Sequence, residues 1–165
     1  MGVSTDAMLC RGIEIPEGYV FPWNKEDEDG NCDKGCEDWW LYGICKYKPS
    51  FEIYDDTGNR LAGFTESDMN KYYEEMFAFK TANPMPFEVV YHCSAEYPMY
   101  IIAIPKTTIT SSRGDVTELD MEFFYKNSSK DVDDAFVELC KKYFPSDEDY
   151  EINYKPGWLM VSYWG

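Results

Sequence analysis

The chain carries a single histidine, His92, and only three arginines, Arg11, Arg60 and Arg113. One histidine excludes every mechanism built on a pair of them, including paired His-x-Thr phosphodiesterases and His-rich hydrolytic metal centres. A Ser-His-Asp or Cys-His nucleophile would have to recruit His92 itself. Its position in a strand-like run points it away from the adjacent Cys93 and onto the same face as Ser94. That placement is expected of a structural histidine. No GxxxxGK[ST] and no strand-linked GxGxxG occurs, so no phosphate-cradling loop is recognisable. No apolar run reaches the length of a membrane span. The first residues hold Asp6 and no basic cluster, so no secretory leader is expected; Asp6 also replaces the Ser or Thr of a myristoylation signal.

What the chain has in excess is negative charge and aromatic surface. Its 165 residues include 31 acids against 15 bases, a formal net charge of −16, and 18% of them are aromatic. This composition argues against disorder, and the length suits one domain, spanning 1–165, able to bury about 70% of its unfolded surface. The charge repels nucleic acid and anionic membranes, so neither is an expected partner. It favours a host protein with a basic surface, although solubility alone also explains it. Six cysteines without a leader point to free thiols or metal ligands in a cytoplasmic setting.

The apolar pattern predicts an α+β fold, a mainly antiparallel sheet with two principal helices packed on it. Residues 7–15 read as a strand stopped by Pro16, and 24–38 as an acidic Cys-rich loop. Residues 51–54 and 60–64 read as a hairpin around Asp55–Asn59. A helix is expected over 66–82, capped by Thr65 with Asp68, its stripe being Met69, Tyr72, Tyr73, Met76 and Lys80 with Phe77 beside it. Residues 86–94 and 98–104 are β-branched and aromatic, and read as central antiparallel strands. TTIT at 107–110 extends or pairs further, and 119–125 fits strand or helix equally. A second helix over 130–144 puts Val132, Ala135, Phe136, Leu139, Cys140 and Tyr143 on one face, and Asp131, Asp134 and Glu138 on the other. A last strand covers 158–164.

Three groups are candidate sites. Cys32, Cys36 and Cys45 would bind Zn²⁺ as thiolates, with Cys10, Cys93, His92 or Asp33 as the fourth ligand. The x3 and x8 spacings depart from the CxxC pairs of structural zinc sites, and free thiols, or a Cys32–Cys36 or Cys36–Cys45 disulfide, remain alternatives. Asp27-x-Asp29-x-Asn31 resembles a calcium loop but has Cys32 for the required Gly and Asp38 for the closing Glu, so it fails. Arg113-Gly114-Asp115 is expected to be a turn. The third group is acidic. Glu26, Asp27, Glu28, Asp29, Asp33, Glu37 and Asp38 crowd one loop, with Trp39 and Tyr42 beside them as aromatic anchors. Asp131, Asp133, Asp134 and Glu138 line a helix, followed by Asp147, Glu148, Asp149 and Glu151. Gathered on one face, such acids imitate a row of phosphates.

The opening Met1–Ile13, the stretch Pro16–Trp23, the segments Asn83–Val90 and Tyr97–Tyr100, and the close Pro156–Gly165 resemble a group of small bacteriophage and prophage proteins without assigned activity. The resemblance covers both ends and the centre and implies a role in a bacterial host cell. Small acidic phage proteins often block a host protein, so it implies a non-enzymatic, anti-CRISPR-like inhibitor of a defence or nucleic-acid-handling protein, with DNA mimicry as its means. The competing expectations are a binder of a nucleotide signal, using aromatic stacking with Arg11, Arg60 or Arg113, and a zinc module or an enzyme.

Overall fold

Strand β1 (Thr5–Ile15) is paired along both edges. The computed structural model describes residues 5–24, 35–55, 59–94, 96 and 98–164. One edge of β1 pairs antiparallel with β5 (Gly157–Trp164), from Thr5↔Trp164 to Gly12↔Gly157. The other pairs with β3 (Pro98–Ala103) through Gly12↔Ala103 to Ile15↔Tyr100, and with the short β4 (Ile109–Ser111) through Ala7↔Ser111 to Leu9↔Ile109. β2 (Glu88–Ser94) pairs antiparallel with β3 and, at Cys93 and Ser94 only, parallel with β5. The pairings β1–β3–β2–β5–β1 therefore close on themselves. Each of these four strands supplies side chains to one apolar cluster of Cys10, Val90, Ile101 and Ala103, with Met8, Leu159 and Val161 packed against it.

Gly12 sits where β1 comes close to β3 in this ring. A Cβ there would lie 2.3 Å from the Ile102 carbonyl oxygen and 2.9 Å from the Ala103 Cα. Both obstacles are backbone, so neither can rotate away. Between β3 and β4 the chain bulges over 104–108. Lys106 there takes a positive φ of 64°, and the buried Thr107 accepts a hydrogen bond from the Arg11 amide at 3.2 Å.

The described chain gathers into two compact units, residues 1–22 with 86–165, and residues 23–85. The first holds the sheet, α3 (Met121–Lys126) and α4 (Lys130–Tyr143). The segment 119–125, ambiguous as a sequence, is thus partly helical, because the Asp120 carboxylate accepts from the Glu122 amide and starts a turn. Ser129 caps α4 by accepting from the Val132 amide. Phe136 and Cys140 are buried as expected, whereas Ala135 is exposed. The tripeptide at Arg113–Asp115 is a turn, with Gly114 at φ 92° and the Asp115 amide donating to the Ser112 carbonyl.

The second unit holds α1 (Cys36–Asp38), a π-helical turn (Trp39–Ile44) and α2 (Glu66–Ala82). The Thr65–Asp68 capping box is present in both directions. The inner stripe of α2 differs from the expected one. Tyr73 and Phe77 are exposed, Phe77 by 71%, while Glu75 and Phe79 are half-buried in their place. Phe79 packs against buried Tyr47 at 4.7 Å, which draws the helix round by part of a turn. The 51–64 hairpin reduces to one antiparallel bridge, Tyr54↔Arg60. The acidic segment is helical at Cys36–Asp38, contrary to the loop reading, while residues 25–34 lie outside the described part. The α+β assignment holds, with a mostly antiparallel sheet. Among the described residues no helix is long and apolar enough to cross a membrane.

Substituting Gly12 by Ala forces two paired strands apart at the seam of the ring. The expected cost is about 3 kcal/mol of unfolding free energy, the upper range for overpacking a core, read as a lowered urea midpoint at unchanged slope.

Candidate functional site

The candidate acids of the first unit are carried by α4 and by the loop that follows it. Asp131, Asp134 and Glu138 all face outward along one side of the helix. At 1.5 Å rise per residue they span about 10 Å of helix axis, a mean spacing of about 5 Å. One DNA strand carries a phosphate every ~3.4 Å of axis, so the row is sparser than a strand's phosphates. Asp134 is bonded to Lys130 at 2.9 Å and Glu138 to Lys141 at 3.1 Å, both pairs exposed. Such pairs are worth about 0–1 kcal/mol, so a partner's basic side chain displaces the lysine at little cost. The helix also has a reason of its own for this pattern. Asp131 and Asp133 sit in its first turn, Lys141 and Lys142 in its last, each matching the helix dipole.

Asp133, read in the sequence only as one of the acids on this helix, fixes the helix in place. Arg11 on β1 donates from Nε and Nη2 to its Oδ1 at 3.1 and 2.7 Å, and from Nη2 to its Oδ2 at 2.6 Å. The Arg11 side chain is 8% exposed. Its guanidinium carbon also lies 5.9 Å from the centre of the Trp158 ring. Trp158 in turn donates to Ser128 Oγ at 2.9 Å and packs on Phe124 at 4.4 Å, holding α3 and the start of α4 to β5. The charge of Arg11 is thus matched by Asp133, which ties β1 to α4.

Beyond α4, Asp147 Oδ1 accepts from the amides of Asp149 and Tyr150, and Tyr154 donates to the Phe144 carbonyl. These bonds fold 145–151 into a local turn that leaves Asp147, Glu148, Asp149 and Glu151 exposed.

The remaining candidates lie in the second unit or outside the described residues. Glu26, Asp27, Glu28, Asp29, Cys32 and Asp33 fall outside. Glu37 and Asp38 are exposed, and Glu37 accepts from Lys80 at 3.0 Å beside a cavity of about 170 Å³ lined by Trp40, Leu41, Asn83 and Met85. Trp39 is half-buried between Trp23 and Trp40, so it packs inside its unit instead of standing free as an anchor. Tyr42 is exposed. The candidate acids are thus divided between the two units. The sheet unit holds 17 acids and 8 bases, a net −9, and the other holds 14 acids and 7 bases, a net −7.

Cys36 and Cys45 are free thiols in the structure, and Cys32 lies outside the described residues. Cys36 donates to the Met85 sulfur at 3.6 Å, and burial, then the Glu37 carboxylate, push its thiol up to about 12. Cys10 is enclosed in the sheet cluster, where burial raises it to about 11. Among the described residues no three His, Cys, Asp or Glu side chains gather as a metal site requires. His92 is buried in β2, and its Nε2 has no hydrogen-bond partner among the described residues. Burial lowers its pKa from the ordinary 6.5, with the Glu14 carboxylate opposing.

Comparison of the chain with protein-family models, with curated proteins and with solved structures gives no match.

Two measurements check this geometry. Asp133→Ala leaves a buried guanidinium unmatched and is expected to cost about 2–3 kcal/mol, below the full buried-pair penalty because Asp133 is partly exposed. The double variant Arg11→Met/Asp133→Leu is expected to recover most of that in the same denaturation assay. For His92 the folded pKa lies below the unfolded one, so its stabilisation is complete above the unfolded value and fades as pH falls from there. Wild type should lose more stability than His92→Gln between about pH 7.5 and about pH 5.5, measured by urea unfolding at each pH.

Proposed function

We propose that this protein acts by binding, as a phage or prophage accessory protein that occupies the basic surface of a host defence or nucleic-acid-handling protein. The observation that carries the reading is the row of Asp131, Asp134 and Glu138 on a helix fixed by a partly buried bidentate ion pair. A rigid row of carboxylates keeps its spacing when a groove lined with Lys and Arg approaches. Its lysine partners exchange readily, and the formal charge of −16 adds long-range attraction to any basic surface. Neutralisation of the groove's charge by carboxylates instead of phosphates would exclude the nucleic acid. The resemblance to phage proteins supports the host-cell setting and the inhibitory role.

The test is capture from a bacterial host lysate. Tagged wild-type protein should retain a host protein that washes off progressively as salt rises. The variant Asp131→Asn/Asp134→Asn/Glu138→Gln keeps Asp133 and the fold, and should lose that protein at least tenfold. Undiminished capture by this variant contradicts the reading.

A further inference from the structure

The outer face of β5, β1 and β4 carries an apolar groove that none of the acidic candidates touches. Paired residues on neighbouring strands point to the same side, so the pairings Leu9↔Met160 and Leu9↔Ile109 set these three side chains in a row across the sheet. Leu119 and Thr117 lie along the row and, with Ala7, help enclose a cavity of about 160 Å³. The row remains open to solvent. Met160 is 74% exposed and Leu119 49%, and Val116 and Met121 beside Leu119 in the chain are exposed as well. At its other end the same sheet face is covered, since Trp158 lies under Phe123 and Phe124 of α3. The open part is the stretch that α3 does not reach.

The segment that builds one wall of the groove is strongly acidic. From 114 to 125 the chain carries Asp115, Glu118, Asp120 and Glu122 and no basic residue, and all four acids are exposed. Apolar Val116, Leu119 and Met121 alternate with them. A surface that combines an apolar slot with a one-sided acidic border complements a segment with the opposite pattern.

We infer that this groove docks a cationic amphipathic segment of a partner protein. An aliphatic or aromatic side chain of the segment seats between Leu9, Ile109, Leu119 and Met160. Lysines or arginines on either side of it meet Asp115, Glu118, Asp120 and Glu122. A second copy of this chain fits poorly, because its own charge of −16 repels it. The inference rests on the reading that the protein binds a basic partner, and it adds an apolar anchor point to that reading's electrostatic contact.

The probe is a labelled peptide of alternating leucine and lysine, followed by fluorescence anisotropy, against a serine and lysine peptide of equal length and charge. Wild type is expected to bind the leucine peptide at least tenfold tighter than the serine peptide. Leu119→Ser/Met160→Ser, both at exposed positions, should remove that tenfold difference, while Phe77→Ser in the other unit should leave it intact. Asp115→Asn/Glu118→Gln should flatten the salt dependence. Equal affinity for the two peptides, or full affinity in the Leu119→Ser/Met160→Ser variant, overturns the inference. Self-association in sedimentation that Met160→Ser abolishes also overturns it, since the groove's occupant is then a second copy. The α4 variant used for lysate capture retains the groove, so failure of either proposal is read separately.

Discussion

The pairing of Arg11 with Asp133 joins the strand at the centre of the sheet to the helix that displays the acids. Arg11 lies on β1 between its seams with β5 and β3, and its main chain is held there as well, because its carbonyl accepts from the Ile104 amide and its own amide donates to Thr107. The guanidinium is enclosed, so its charge has no water to fall back on and must keep the carboxylate. That requirement sets the rotation of α4 about its own axis. With Asp133 facing the strand, Phe136 and Cys140, three and seven residues on, share the inner side. Asp131, Asp134 and Glu138 are then left facing solvent. The exposed acidic row is therefore a geometric consequence of a buried ion pair, given this sequence.

The charge on α4 serves two purposes that do not compete. Acids at its start and lysines at its end suit the helix dipole and raise its stability whether or not a partner exists. Asp134 and Glu138 further along it, loosely bonded to Lys130 and Lys141, remain available to stronger cations. The function proposed here therefore needs no distortion of the fold. It draws on surface that folding leaves free, which also holds for the groove over Leu9 and Met160.

Most elements could be read from the sequence because their signals are local. Thr65 and Asp68 mark the start of α2 within four residues, and Val89, Val90, Ile101 and Ile102 carry the β-branched signature of central strands. The readings that failed depended on distant partners. Tyr73 and Phe77 fit the apolar stripe of α2 as well as Phe79 does, and only the buried ring of Tyr47 decides between them. The segment 119–125 is a different case: Leu119, Met121, Phe123 and Phe124 satisfy both periodicities, and what decides for a helix is local, the cap at Asp120. Asp133 is one acid among 31, and what distinguishes it is an arginine 122 residues away. The groove was invisible for the same reason, being made where β1, β4, β5 and the 112–120 segment meet.

The account stands on the claim that the outward acids of α4 are a contact surface. Carbodiimide footprinting of carboxylates, with and without a captured basic partner, reads this directly for each residue. The account predicts that Asp131, Asp134 and Glu138 lose reactivity in the complex while Glu66 and Glu74 on α2 retain theirs. Unchanged reactivity along α4, with the complex intact, would contradict it.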